Sequence, residues 1–411
     1  MNYDVLIVGA GASGLYCACR ILSKRKVHLA VIDSNDSAGK KLLLTGAGRC
    51  NLTNADIDSK YYMTDTPDML KGILDHHSSR DALDFFRDEL GVLTSERNGL
   101  FYPSTFRADT VVNAMCSYLA DKGAEFIFKT FVTDIVKEGD EFIINSEYRA
   151  RTVVIAVGGA TYMDTGSVGS IGQVVSHLTS VNKLIPLHPA LVPLKTLEKD
   201  ITSISGARSY CDLVLYEDRR TDKVLARSSG EILFTLYGVS GICVLDVSGH
   251  AVKAMSEGKR PVLSVNFLKM THDEAIDAVR HNVACFADRT PSKALNGLIR
   301  DDILAIILDR LGLGKYKRAL DLTDDDIERL AECMTAFKLT INGSLSFENA
   351  QVTMGGLSMT SFTSDLEFKQ TPGGFVCGES LNCNGICGGY NLQFCWSSAA
   401  AAADGVLKCL N

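Results

Sequence analysis

The sequence predicts an α/β fold whose two chain ends build one mostly parallel sheet, with a β-rich region and a small helical subdomain between them. Three observations predict it. A strand, a glycine-rich turn, a helix, a second strand and an acid follow one another between residue 4 and Asp33. From about 189 to 268 short β-type runs and turns replace helical periodicity. Residues 271–335 then carry three helix-start signals.

Residues 4–8 are an apolar run bounded by Asp4 and Gly9, which reads as a buried strand. Gly9-Ala10-Gly11-Ala12-Ser13-Gly14 follows at once, residues 15–22 read as a helix, and residues 27–32 as a second strand ending in Asp33. In that context the turn is a dinucleotide fingerprint. Gly9 permits the tight turn, Gly11 lets the backbone approach a pyrophosphate, and Gly14 lets the helix pack on the sheet. The helix start, with Ala12 and Ser13, supplies amide donors to phosphate, and Asp33 accepts from an adenosine ribose.

Residues 39–54 read as neither a simple strand nor a simple helix. They gather Lys40, Lys41, Thr45, Gly46, Gly48, Arg49, Cys50, Asn51 and Asn54 in a loop suited to a polar cofactor. Residues 75–95 and 108–122 read as amphipathic helices, and 126–131 and 141–144 as short β segments. The β-rich run 152–157 leads into Gly158-Gly159 and brings the chain back to the first sheet. A second glycine-rich turn, 166–172, precedes a helix over 173–178 and departs from the fingerprint, which leaves a second phosphate site a minor reading.

Pro186, Pro189 and Pro193 mark a boundary. Short β segments are predicted at 213–216, 232–236, 243–246 and 262–267. Thr271 with Glu274 forms a capping box, Thr290-Pro291 an N-cap followed by proline, and Thr323 with Asp326 a third start. Leu298, Ile299, Ile303, Ile306, Ile307 and Leu311 fall largely on one helical face. Residues 374–377 read as a strand into Gly378-Glu379, and Gly388-Gly389 opens a long Ala-rich helix that runs to about Leu407. A glycine pair at a helix start presents unhindered N–H groups, which stabilise negative charge such as that on the edge of a reduced flavin. Glu379 is placed to accept from ribityl hydroxyls.

Composition bounds the function. The chain has 411 residues, two or three domains at roughly 150 residues each. A charged fraction of 22% and a hydrophobic fraction of 46% exclude a disordered chain. A net charge of −7 without a basic block argues against a nucleic-acid partner. No cationic leader and no apolar run of about 18 residues is visible, so neither a signal peptide nor a membrane span is predicted. The 13 cysteines form no CxxC pair and read as reduced thiols in a cytoplasm. Cys383 and Cys387 lack a His/Cys partner pair, and no metal site is predicted.

Three segments together are similar to one family. They are Gly39 to Asn54, Pro189 to Leu194, and Gly388-Gly389-Tyr390-Asn391-Leu392-Gln393. The chain resembles, from residue 3 to about 408, the aminoacetone-oxidase-like (YhiN/BaiN-type) NAD(P)/FAD-dependent oxidoreductases of the two-dinucleotide-binding flavoprotein superfamily. It departs from the family pattern at Asn382, at Asn384, at 364–368 and at 166–171. The resemblance implies a Rossmann-like FAD-binding domain (1–187 with 350–411), an inserted β-barrel domain (188–268 with 336–349) and a helical subdomain (269–335). It implies FAD as cofactor, held by the residues named above together with Val132, Ala156, Gly158, Gly159, Gly378, Asn391 and Leu392. One branch of the family reduces the 4,6 double bonds of 3-oxo bile acids.

The leading functional expectation is an FAD-dependent reductase. It would move hydride from NADH or NADPH through flavin N5 to an activated C=C of a small hydrophobic substrate, a 3-oxo steroid or bile acid among them. Flavin-dependent amine oxidation and low-turnover redox sensing are the alternatives. A tRNA-modifying role is disfavoured by the charge. Tyr390 is a candidate proton donor and Cys50 a candidate redox thiol whose pKa Arg49, Lys40 or Lys41 would lower, each set against plain packing. Arg49 anchors a flavin phosphate or, less favoured, a substrate carboxylate. His188 reads as structural. Oligomeric state is not legible.

Overall fold

The computed structural model describes residues 2–178 and 183–411. The chain divides into two compact units: residues up to Pro189 with Ala350–Asn411, and Ala190–Asn349.

The first unit is built on a seven-stranded sheet. Four strands lie side by side in the order Glu125–Ile127, Leu29–Ile32, Asn2–Val8 and Tyr148–Ile155, all parallel, and Gly374–Val376 extends the last of them. Glu141–Ile144 and Ile135–Glu138 continue the sheet antiparallel. The central strands are apolar on both faces because both are covered: helices pack on one, and Leu70, Phe142, Leu357 and Phe362 are among the residues packed on the other. On one face pack the helices Ala12–Lys24 after the glycine turn, Ala108–Asp121, and Tyr390–Cys409 at the chain's end. Ala399 to Ala403 are all buried, and their small side chains let this last helix approach closely. Trp396 fills the space beside Tyr16 and Phe86, with ring centroids 5.2 Å from each.

The second unit is a closed antiparallel barrel. Its strands, in order around it, are Leu194–Thr196, Gly238–Ser240, Val224–Thr235, Arg208–Tyr216, Val262–Asn266 and Phe337–Ser344. Alternate residues of Arg208–Tyr216 point inward, as a half-buried strand requires. Leu213, Phe234 and Leu263 share one apolar core with Ile303, Ile307 and Leu330 of the helical segment. The capping box at Thr271 with Glu274 forms as the sequence predicts, and the predicted helix start at Thr323 is itself a capping box with Asp326. Pro291 starts its helix, but the Thr290 side chain makes no cap bond.

Several elements differ from the sequence reading. Residues 243–246 are not a strand. They open the helix Ile242–Ser256, whose burial on several faces hides its period. The 75–95 segment is two helices, Pro67–His76 and Ser79–Asp88, followed by the strand Thr94–Arg97. The loop after Gly39 begins with a short helix, Lys40–Leu44. The helix at 298–311 starts only at Asp301. The helix expected at 173–178 is a single turn, Ile171–Val174, too short to present a phosphate site. Among the described residues no helix is long and apolar enough to cross a membrane.

Candidate cofactor site

The first strand ends at Gly9, whose φ of +112° only glycine adopts without strain. Its N–H donates to the Ile32 carbonyl (2.8 Å) and ties the turn to the second strand. A Cβ on Gly9 would stand 2.3 Å from the Ala156 carbonyl oxygen, and one on Gly14 would stand 1.9 Å from the Gly9 carbonyl oxygen. These two glycines are required by the chain's own packing. Gly11 is different. Its φ and ψ of −83° and −170° suit any residue, and a Cβ there meets nothing within 4 Å. Neither strain nor packing asks for glycine at this helix start, so the space beside it fits the close approach of a ligand.

Asp33 braces this turn. Its Oδ2 accepts the Ala10 N–H at 2.7 Å, and its Oδ1 accepts the Asn35 backbone and side-chain N–H groups at 2.7 and 2.9 Å. Asn35 also donates to the Thr165 carbonyl (2.8 Å), which brings the second glycine-rich turn onto the same acid. A Cβ on Gly166 would stand 2.5 Å from the Asn35 Nδ2, so packing explains that glycine.

A second cluster joins four distant segments. Lys41 Nζ donates to Glu379 Oε2 and to Thr161 Oγ1, each at 2.6 Å. Glu379 Oε1 accepts the Thr353 N–H (2.9 Å), and Thr353 Oγ1 accepts the Ala160 N–H (2.7 Å). The Gly158 N–H donates to Ser380 Oγ at 3.1 Å. The pair is sheltered, with side chains 24% and 17% exposed. Gly159 leaves room for Thr353, whose Oγ1 would stand 2.3 Å from a Cβ there, and Gly378 leaves room for Ser13 in the same way. Sequence reasoning named Lys41, Gly158, Gly159 and Glu379 but missed Thr161, Thr353 and Ser380, which carry no spacing signal. Lys40 turns away to pair with Asp36 at 2.9 Å.

The loop Thr45–Cys50 runs through left-handed backbone at Gly46, Ala47, Gly48 and Cys50. Thr45 Oγ1 donates to the Leu42 carbonyl, and Arg49 Nε to the Gly46 carbonyl. Cys50 is fully buried, and burial pushes its thiol up to about 12. Desolvation dominates, so neighbouring cations do not lower this thiol, and plain packing is favoured over the alternative of a redox thiol.

The next residues pin this loop to the start of the last helix. Assigned from its hydrogen-bonding surroundings, the Asn51 amide donates to the Thr53 and Phe101 carbonyls and accepts from the Gly389 N–H at 3.1 Å. Asn54 Nδ2 donates to the Gly388 carbonyl, and Asn391 closes a two-way bond with Gly385. Gly389 has φ +90°, and a Cβ on it would stand 2.7 Å from the Thr53 backbone. The side chains of Asn51, Asn54 and Asn391, expected against a cofactor, here position the helix start whose first N–H groups a helix leaves unpaired. Tyr390 is 6% exposed, with Tyr61 and Tyr62 ring centroids 5.1 and 5.9 Å away. Val132 and Ala156 lie in the core, and Leu392 is half-buried.

Residues 3–405 match the HI0933-like protein Rossmann domain. The chain belongs to this family. It is 30% identical over 405 residues to the 3-dehydro-bile acid delta(4,6)-reductase of Clostridium scindens, covering 96% of this chain and 97% of the relative. It is 25% identical over 424 residues to the ribosomal RNA dihydrouridine synthase of Haemophilus influenzae, covering 97% of each. Among solved structures, 3-ketosteroid delta1-dehydrogenase of Sterolibacterium denitrificans shares the fold, with a TM-score of 0.50 at 11% identity over 99% of both chains. The family bears out the resemblance read from the sequence and, with it, the FAD-dependent oxidoreductase class.

Proposed function

We propose that the chain adds two hydrogens across a C=C conjugated with a carbonyl, using hydride from NADH or NADPH, and that its acceptor is a small hydrophobic 3-oxo steroid or bile acid. The observation that carries this reading is the near full-length match to a bile acid reductase at 30% identity. FAD, when bound, supplies the hydride transfer at N5 of its isoalloxazine ring.

The chain's residues fit that cofactor. The N–H groups of the Gly11–Gly14 helix start take the diphosphate, and the open space at Gly11 admits it. Asp33 is anchored by Ala10 and Asn35 yet keeps lone pairs for a ribose hydroxyl. Glu379 is held in place by Lys41 and Thr353 and offers its remaining lone pairs to ribityl hydroxyls. The start of the last helix, fixed by Asn51, Asn54 and Asn391, directs its positive end toward developing negative charge.

A second reading keeps the chemistry and changes the acceptor. The relative at 25% identity is named a dihydrouridine synthase, and forming dihydrouridine also adds two hydrogens to a C=C beside a carbonyl. The net charge of −7 favours the small acceptor over RNA. Anaerobic assays with NADH and with NADPH test both. The expected result is nicotinamide oxidation with a 3-oxo bile acid unsaturated at carbons 4 and 6, and a product heavier by two hydrogens. Hydrogenation of an unmodified ribosomal RNA transcript, with the steroids inert, would move the assignment to the second reading. Inertness toward both would refute the proposal.

A further inference from the structure

The helix Pro67–His76 ends against the last helix of the chain, on a stretch remote in sequence from every glycine-rich turn. The His77 carbonyl, which follows that helix, accepts from Ser397 Oγ at 2.6 Å and from Gln393 Nε2 at 3.4 Å. Asp404 lies about two turns beyond Ser397, on the same face. The result is that His76, His77 and Asp404 each bring one ligating atom within 4.8 Å of the others.

The geometry suits a cation better than it suits an unaided ion pair. His77 Nε2 and Asp404 Oδ2 are 3.6 Å apart, too far for a hydrogen bond. That separation is close to the roughly 3.3 Å between two ligands of a tetrahedral ion with bonds of about 2.0–2.1 Å. The His77 side chain is only 7% exposed, and among the described residues its ring makes no hydrogen bond. His76 is exposed, with its ring edge-on to His77 at 4.8 Å. The nearby cation Arg20 is occupied by Asp81 at 2.8 Å. The site also lies at a helix C-terminus, whose partial negative charge attracts a cation.

We propose that His76, His77 and Asp404 bind one divalent transition-metal ion of the zinc class, which clips the end of the helix Pro67–His76 to the last helix. Two imidazoles and a carboxylate are a donor set for such an ion and leave a position for water. The ion is a tie between two helices and takes no part in hydride transfer.

The test uses the untagged, flavin-loaded full chain, stripped of metal with a chelator and titrated with zinc chloride by calorimetry. One zinc per chain is expected, with a rise in melting temperature. His76→Ala and Asp404→Ala should each weaken binding by at least about tenfold, since losing even an outer-shell partner commonly does so. His281→Ala, which removes the exposed His281–Cys285 pair (3.5 Å) on another helix, should leave binding unchanged. Because His76 is exposed, His76→Ala decides the matter even if Asp404→Ala folds poorly. Absence of stoichiometric binding, binding that survives His76→Ala, or binding abolished by His281→Ala would each overturn the proposal.

Discussion

Gly11→Ala separates what the fold needs from what the cofactor needs. The backbone at Gly11 is extended, and an added Cβ meets no atom of the chain within 4 Å. The apo fold should therefore lose nothing and gain about 0.4–1 kcal/mol, because alanine restricts the unfolded chain. The same methyl group enters the space assigned to the diphosphate. Overfilling a packed contact costs about 1–3 kcal/mol, which is about a 5- to 150-fold loss of FAD affinity. Gly14→Ala is the opposite case. Its Cβ would stand 1.9 Å from the Gly9 carbonyl, so the backbone itself must move, and a loss of about 3 kcal/mol or more in fold stability is expected. The assay pairs urea denaturation of the deflavinated proteins with flavin-fluorescence titration by FAD. A Gly11→Ala protein that binds FAD as the parent does would refute the placement of the diphosphate. A destabilised apo Gly11→Ala protein would refute the claim that the chain leaves that space open.

Three further outcomes are expected. Lys41→Met leaves the sheltered Glu379 carboxylate with one backbone donor and should cost about 1–3 kcal/mol in urea denaturation; an unchanged midpoint would show the pair to be idle. Gly389→Ala forces a left-handed alanine against the Thr53 backbone, so the protein should lose bound flavin on gel filtration, whereas retention would show that this helix start can shift freely. Cys50 should resist iodoacetamide at neutral pH. Because its folded pKa is raised from 9.0 to about 12, the native state holds the proton longer than the unfolded chain; the associated stability is full below about pH 9 and is lost as pH rises toward 12. Rapid labelling of Cys50 in the folded protein would contradict its burial.

What the sequence disclosed was local. The strand, turn, helix and acid around Gly9 to Asp33 are neighbours in the chain, and backbone sterics alone assign them. The capping box at Thr271 and the helix start at Thr323 were legible for the same reason. The helix Ile242–Ser256 was not, because Cys243, Val244, Val247, Ala251 and Val252 are all buried and a short apolar window does not separate helix from strand. Thr161, Thr353 and Ser380 join the site only when distant segments meet, and hydroxyls have no spacing signature. Packing was the favoured reading of Cys50, and its burial, which the sequence does not display, outweighs the cationic neighbours that it does. The three asparagines were recognised as part of the site, but their partners are the loop and the helix start, a relation only the folded chain displays.

The oxidative half-reaction alone is the most direct test of C=C reduction by this chain. The FAD-loaded protein is reduced with dithionite under anaerobic conditions, freed of excess reductant and mixed with a 3-oxo bile acid unsaturated at carbons 4 and 6. The flavin absorbance at about 450 nm should return, with one saturated bond formed per flavin reoxidised, and should not return with the fully saturated 3-oxo analogue. A flavin that stays reduced with the unsaturated acid, while remaining bound and able to react with oxygen, would contradict it.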